Sequence, residues 1–268
     1  MSDKSYVHGY SARESERLSD QARALTDLLH HDTRYPVGSR VLEAGCGTGA
    51  QTVILAKNSP AASITSIDIS DESIRLAEER IKKEGFTNVK FRQANIFSLP
   101  FEPASFDHIF ICFVLEHLAD PQRALACLRL LLKENGTITV IEGDHGSAFF
   151  HPDNANARRA VDCLVELQRR GGGNALIGRQ LYPLVSGAGF FDVQVSPRMV
   201  YADSSRPRLV EGFTKLTFNA MVEGVGDDVA RNGLMGKEDW DEGIAALNRT
   251  AEKDGVFCYT FFKATARK

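Results

Sequence analysis

Apolar residues recur along this chain at two spacings, and the spacings alternate in blocks. Leu18, Ala22, Leu25 and Leu29 mark one face at helical spacing, behind a Ser11/Glu14 capping box. A short apolar run over 40–44 reads as a strand, followed by a glycine-rich turn and a helix over 50–57 that stops before Pro60. A second strand is expected over 63–68 and a third over 89–93. Between them Ser70 or Asp71 caps a helix whose Ile74, Ala77 and Ile81 face inward, and Gly85 ends it. The run 107–113 is nearly all apolar, as a strand covered on both faces should be. Asp120 caps the next helix, with Pro121 at its first position and Gly136 just past its end. A fifth strand follows over 137–142. This β-α-β-α order predicts an α/β fold: a mostly parallel sheet with helices on both faces.

The second half is less regular. Helices are expected over 155–170, closed by Gly171–Gly173, and over 179–186, closed by Gly187 and Gly189. A sixth strand is read over 192–197 and a last one over 256–264, with helices over 207–223 and 237–253 and a glycine-rich turn between them. Roughly fifty residues between two strands are too many for a plain connection. The expectation is one domain over 37–268 with a helical insertion at about 205–253 that covers the active site, preceded by a cap helix segment over 1–36.

Bulk properties narrow the partners. The net charge is −3 and the pI about 6.2, which argues against nucleic acid, since phosphate binding needs clustered Lys and Arg. Arg158-Arg159 and Arg169-Arg170 sit among acids or glycine and read as a solvated face. The five cysteines form no C-x-x-C pair, so neither a disulfide frame nor a zinc site is expected, and a reducing cytoplasm is the simplest setting. Cys46 and Cys112 read as small packing residues. The apolar run 109–115 is far shorter than a membrane span, and no signal region opens the chain.

The densest chemistry lies at Val41-Leu42-Glu43-Ala44-Gly45-Cys46-Gly47-Thr48-Gly49. Glycines there let the backbone turn sharply and let a ligand approach. Asp68 follows Gly49 by nineteen residues, where a strand-end carboxylate can accept from ribose hydroxyls. Gly45, Gly47 and Ala50 also satisfy the dinucleotide pattern G-x-G-x-x-A. Glu43 weighs against that reading. It suits a ligand with a cationic amino group and would sit poorly beside a pyrophosphate, which wants positive potential. Near the other strand ends, Glu142-Gly143-Asp144-His145 follows strand five. His145 is a candidate general base, with pocket lining and a surface position as the other readings. Asp144 and His145 are too few to claim a metal, and none is expected.

Glu43–Gly49 resembles the first motif of class I S-adenosylmethionine-dependent methyltransferases. Ser66-Ile67-Asp68-Ile69-Ser70 resembles the family's ribose segment, and Gln93-Ala94-Asn95-Ile96 with Leu99-Pro100-Phe101 its adenine segment. Phe106-Asp107 through Leu115-Glu116-His117-Leu118 resembles the fourth strand and following turn of the ubiquinone/menaquinone-biosynthesis-like branch. The resemblance covers about 38–143 and is only topological beyond. It implies a Rossmann-like, doubly wound, seven-stranded sheet and S-adenosylmethionine as cofactor, leaving S-adenosylhomocysteine as product. It places Glu43, Gly45 and Gly47 at the methionine end, Asp68 on the ribose and Ile69 on the adenine. Asn95 would meet the adenine amino group with Ile96 beside it; the family often has Asp there, and an amide still accepts as well as donates. Phe113 and His117 would line the pocket, although His117 equally suits a local hydrogen bond. Tyr10, Arg17 and Gln21 of the N-terminal segment would reach the pocket mouth or the methionine carboxylate, although a surface helix packing only through its leucine face equally suits the segment. The expected activity is methyl transfer to a small-molecule acceptor, Phe149-Phe150, Phe213 and Phe218 lining a partly apolar pocket or forming an ordinary core. A nicotinamide-dependent oxidoreductase and a non-catalytic cofactor-binding protein are the competing readings.

Overall fold

The structure, a computed structural model, describes residues 25–268. The predicted capping box at Ser11 and Glu14, the helix face at Leu18 and Ala22, and the site candidates Tyr10, Arg17 and Gln21 lie outside the described residues. Residues 25–30 are helical, with Leu25 and Leu29 buried.

Seven strands form one mixed sheet in the order β3-β2-β1-β4-β5-β7-β6. Five strands and their helices follow the order of the apolar blocks, β3 leading directly into β4: β1 (Arg40–Ala44), α1 (Ala50–Asn58), β2 (Ser63–Asp68), α2 (Asp71–Lys83), β3 (Val89–Gln93), β4 (Phe106–Cys112), α3 (Pro121–Leu131) and β5 (Leu132–His151). β1 pairs in parallel with β2 and β4, β2 with β3, and β4 with β5. Ser70, not Asp71, caps α2: its hydroxyl accepts the Ser73 N–H at 3.2 Å. Asp120 does the same for α3, accepting from Arg123 N at 2.9 Å.

The remaining elements are α4 (Ala155–Arg170), α5 (Leu181–Gly187), β6 (Phe191–Ala202), α6 (Gly226–Arg231), α7 (Lys237–Arg249) and β7 (Val256–Arg267). Between β6 and α6 runs a helical stretch, Pro207–Leu209, Val210–Asn219 and Ala220–Glu223, whose middle is π-helical. The stretch expected as a glycine-rich turn therefore contains a helix, α6.

Several boundaries differ from the pattern. Gly136 does not end α3; the helix stops at Leu131, and Asn135 takes the left-handed turn with φ 62°. β6 and β7 each extend several residues further than read. β5 is the largest correction: it begins at Leu132 and runs on through Gly143-Asp144-His145 to His151 instead of ending at Glu142. Polar residues there keep the strand because tertiary partners satisfy them. The His145 N–H donates to Ala175 O at 2.9 Å, and the Ser147 hydroxyl accepts the Thr260 N–H at 2.8 Å.

The chain divides into two compact units whose boundaries fall within or beside the long strands. One comprises Leu29–Glu142, Ile177–Pro197 and Phe262–Lys268. Its core is aliphatic, built on Leu42, Ala44, Ile109, Ile111, Ile138 and Val140 from the sheet with Leu125 and Leu128 of α3. The other comprises 25–28, Gly143–Leu176 and Arg198–Phe261. In it Phe213, Phe218, Phe257, Tyr259 and Phe261 pack ring on ring, and Asn154 and Asn156 both donate to the Glu242 carboxylate.

Candidate functional site

β1 lies between β2 and β4, and the strand order reverses there. In open α/β sheets the crevice outside the carboxyl ends of the strands at such a reversal is where ligands bind. Two turns form its walls: 45–49 after β1 and 113–117 after β4.

The glycine turn is held by the sheet itself. Gly45 N and Cys46 N both donate to Ile67 O, at 2.8 and 2.9 Å. Gly45 has φ +77°, and a side chain on it would overlap Val114 Cγ2 and come within 3.0 Å of Val114 Cγ1. Gly47 has φ +50°, and a Cβ there would meet nothing within 4 Å. One glycine is thus required by a close approach, and the other leaves open backbone on the crevice.

Asp68, at the end of β2, accepts the Gly47 N–H on Oδ2 at 2.8 Å and the Ser70 N–H on Oδ1 at 3.0 Å. Each oxygen keeps a lone pair, since a carboxylate offers about four acceptor positions. Helix capping falls to Ser70, so Asp68 is fixed as an acceptor beside the glycine turn. Ile69 follows, 61% exposed, an apolar surface at the same strand end. Asn95 is exposed after β3 and uses Oδ1 to accept the Phe97 N–H at 2.8 Å, which leaves its NH2 group pointing elsewhere as a donor. Ile96 packs partly buried against the aliphatic core.

Glu43 is buried to 2% exposure. Its Oε2 accepts hydroxyls from Thr52, at 2.7 Å, and Ser66, at 2.6 Å. Its Oε1 has no hydrogen-bond partner among the described residues. Burial pushes the Glu43 carboxyl up from 4.5 to about 7, and the Asp68 charge adds to the rise, against the two hydroxyls that lower it. A cationic group delivered to Oε1 would relieve both penalties. Burial first, then the charges of Glu43 and Asp68, raise the Cys46 thiol far above its ordinary range, and Cys112 is raised in the same sense, so neither is a ready nucleophile.

Phe113 opens the second wall with φ +58°, a conformation costly for a side-chain-bearing residue. His117 closes it: its N–H donates to Val114 O at 3.1 Å, and its Nε2 lies 3.6 Å from Glu116 Oε1.

His145 belongs to the other unit. It is 6% exposed, its Nδ1 is 2.8 Å from the Tyr259 hydroxyl, and its ring meets Phe218 edge-on. Among the described residues no group of three or more His, Cys, Asp and Glu could hold a metal ion. Sequence reasoning missed Thr52 and Ser66, which orient Glu43, and Val114, which stands against Gly45. Their contacts join residues far apart in the chain, and no local pattern marks them.

The methyltransferase-domain family matches this chain over residues 37–182. The chain belongs to the S-adenosylmethionine-dependent class I methyltransferases. A 37.1 kDa protein of transposon TN4556 from Streptomyces fradiae is 32% identical over 77% of this chain and 59% of its own. An uncharacterised methyltransferase of Schizosaccharomyces pombe is 34% identical over 53% of each. A demethylmenaquinone methyltransferase of Tropheryma whipplei is 36% identical over 43% of this chain and 46% of its own. The chain thus spans about half the length of these relatives. Phosphoethanolamine N-methyltransferase 2 of Haemonchus contortus, solved with phosphomonomethylethanolamine and S-adenosylhomocysteine, shares the fold. It superposes with a TM-score of 0.56 at 17% identity, over 93% of this chain and 53% of that one. The family uses S-adenosylmethionine. Neither the oxidoreductase reading nor the non-catalytic one gains support from these similarities.

Proposed function

We propose that this chain transfers a methyl group from S-adenosylmethionine to a small-molecule acceptor. The observation that carries the reading is the joint geometry of Glu43, Gly47 and Asp68. An unpartnered buried carboxyl oxygen, open glycine backbone and an anchored strand-end carboxylate stand around one crevice. Glu43 fits the cofactor's ammonium and Asp68 its ribose hydroxyls, while Gly47, its N–H already committed to Asp68, leaves room for the ligand to approach.

When bound, S-adenosylmethionine supplies a methyl group already activated on a sulfonium. The protein's part is then to hold and align. Glu43 Oε1 would hold the ammonium, Asp68 the ribose hydroxyls, and exposed Ile69 the face of the adenine. Asn95, with Ile96 beside it, would meet the polar edge of the base. Gly45 keeps the turn closed against Val114, while Phe113 and His117 line the crevice. Positioning of this kind can supply roughly 7–11 kcal/mol of a displacement barrier. For an oxygen or carbon acceptor a base is also required, and His145, its ring held by Tyr259, is the residue we assign to it.

A small acceptor is supported by the acidic net charge and by relatives named for demethylmenaquinone and phosphoethanolamine. A cytoplasmic setting is supported by five free cysteines. Among the described residues no helix is long and apolar enough to cross a membrane. The test is S-adenosylhomocysteine formation with a panel of quinol, amine and hydroxyl acceptors. Turnover with one class and not with protein or RNA supports the reading; turnover only with a macromolecule refutes the small-molecule assignment.

A further inference from the structure

Glu142 ends the β5 segment of the aliphatic unit and is 0% exposed. Its Oε1 accepts two consecutive backbone N–H groups, from Val114 at 3.0 Å and Leu115 at 2.7 Å. The Glu116 N–H also reaches this carboxyl. Its Oε2 has no partner among the described residues. A single carboxyl therefore accepts three consecutive N–H groups of the turn after β4, those of 114–116. That turn begins with Phe113 at positive φ and would otherwise leave buried N–H groups unpaired. It also presents Val114, whose side chain fills the space a Cβ on Gly45 would need.

From these contacts we infer that Glu142 is a positioning residue for the cofactor crevice, clamping the 114–116 backbone so that Val114 seats the glycine turn and His117 is presented at the crevice wall. The inference rests on the methyltransferase reading only for the identity of the ligand. It goes beyond that reading because Glu142 itself need not touch cofactor or acceptor.

What the clamp requires is reach, not charge. Burial raises the Glu142 carboxyl well above its ordinary range, and the neighbouring Glu116 carboxyl pushes it the same way, against the backbone N–H groups. An uncharged carboxyl or an amide accepts the same N–H bonds through its carbonyl oxygen. Two near-isosteres therefore separate the cases. Glu142→Gln keeps the reach and removes the charge. Glu142→Asp keeps the charge and withdraws the carboxyl by about 1.5 Å, the length of one C–C bond.

The experiment combines amide hydrogen exchange at 114–116 in the free protein with calorimetric titration of S-adenosylhomocysteine. Urea unfolding of both variants controls for global loss of stability. Glu142→Gln is expected to keep exchange rates and dissociation constant within about twofold of wild type. Glu142→Asp is expected to speed exchange at 114–116 and to weaken binding by about tenfold or more, the cost of unpairing a buried donor. Equal behaviour of the two variants, or the reverse order, overturns the inference. Faster exchange in Glu142→Asp with an unchanged dissociation constant also overturns it, because the clamp would then have no bearing on the crevice. If wild type takes up no S-adenosylhomocysteine while exchange responds as expected, the clamp stands and the methyltransferase reading falls.

Discussion

Replacing Glu43 by Gln removes a buried carboxyl without removing its hydrogen-bond geometry, since the amide oxygen still accepts from Thr52 and Ser66. In the folded protein the carboxyl titrates at about 7, against an ordinary value of 4.5. The folded value lies above the unfolded one, so the native state holds the proton more tightly. The stabilising contribution is complete below about pH 4.5 and is lost as the pH rises through about 7. Each pKa unit is worth about 1.4 kcal/mol, so the whole effect is about 3 kcal/mol. Urea unfolding of the cofactor-free protein between pH 5 and 8 measures it. Wild type should lose about 2–3 kcal/mol relative to Glu43→Gln across that range, the contributions of other groups cancelling in the difference. The cofactor's ammonium then acts in the opposite sense: it prefers the ionised carboxyl, so wild-type affinity should rise with pH through about 7 while that of Glu43→Gln stays flat. Parallel stability curves for the two proteins would show that Glu43 does not titrate as its burial requires, and the account of β1 would fail.

Three more outcomes follow from named contacts. Gly45→Ala places a Cβ at φ +77° against Val114, costing about 1–2 kcal/mol for the left-handed backbone alone; cofactor titration should show loss of binding, and unchanged binding would refute the close approach. Lys263, 3% exposed, donates to Leu29 O, Asp32 Oδ1 and Thr33 Oγ1, so Lys263→Met should lower the unfolding free energy by about 2 kcal/mol, read by urea titration. With an acceptor that must lose a proton, His145→Gln should lower kcat by about 100-fold; an unaltered kcat removes the base assignment.

Much of the aliphatic unit was legible because its signals are local. Ser70 and Asp120 cap helices through N–H groups three residues away, and β1 to β4 are short apolar runs bounded by turn residues. The glycine turn and Asp68 were legible for the same reason: the ligand-facing backbone needs positive φ at fixed offsets. The continuation of β5 past Glu142 was not. Gly143, Asp144 and Ser147 carry turn chemistry, and what holds this stretch extended is distant in sequence: the His145 N–H donates to Ala175 O and the Ser147 hydroxyl accepts from Thr260 N. The π-helical stretch Val210–Asn219 was hidden because its apolar positions read equally well at the α-helical period. In the site, Glu43 stood out as an acid at a strand end, whereas Glu142 drew no reading beside Asp144 and His145. Their different duties were invisible, because Thr52, Ser66 and the 114–116 backbone come together only in the fold.

The central claim is that the crevice after β1 and β4 is built for S-adenosylmethionine. Calorimetric titration of wild type and Asp68→Ala with S-adenosylmethionine, S-adenosylhomocysteine and NAD tests it most directly. The account predicts binding of both sulfur ligands and not of NAD, and a loss of about tenfold or more in Asp68→Ala, the worth of a charged hydrogen bond. Binding of NAD alone, or sulfur-ligand affinity indifferent to Asp68, would contradict it.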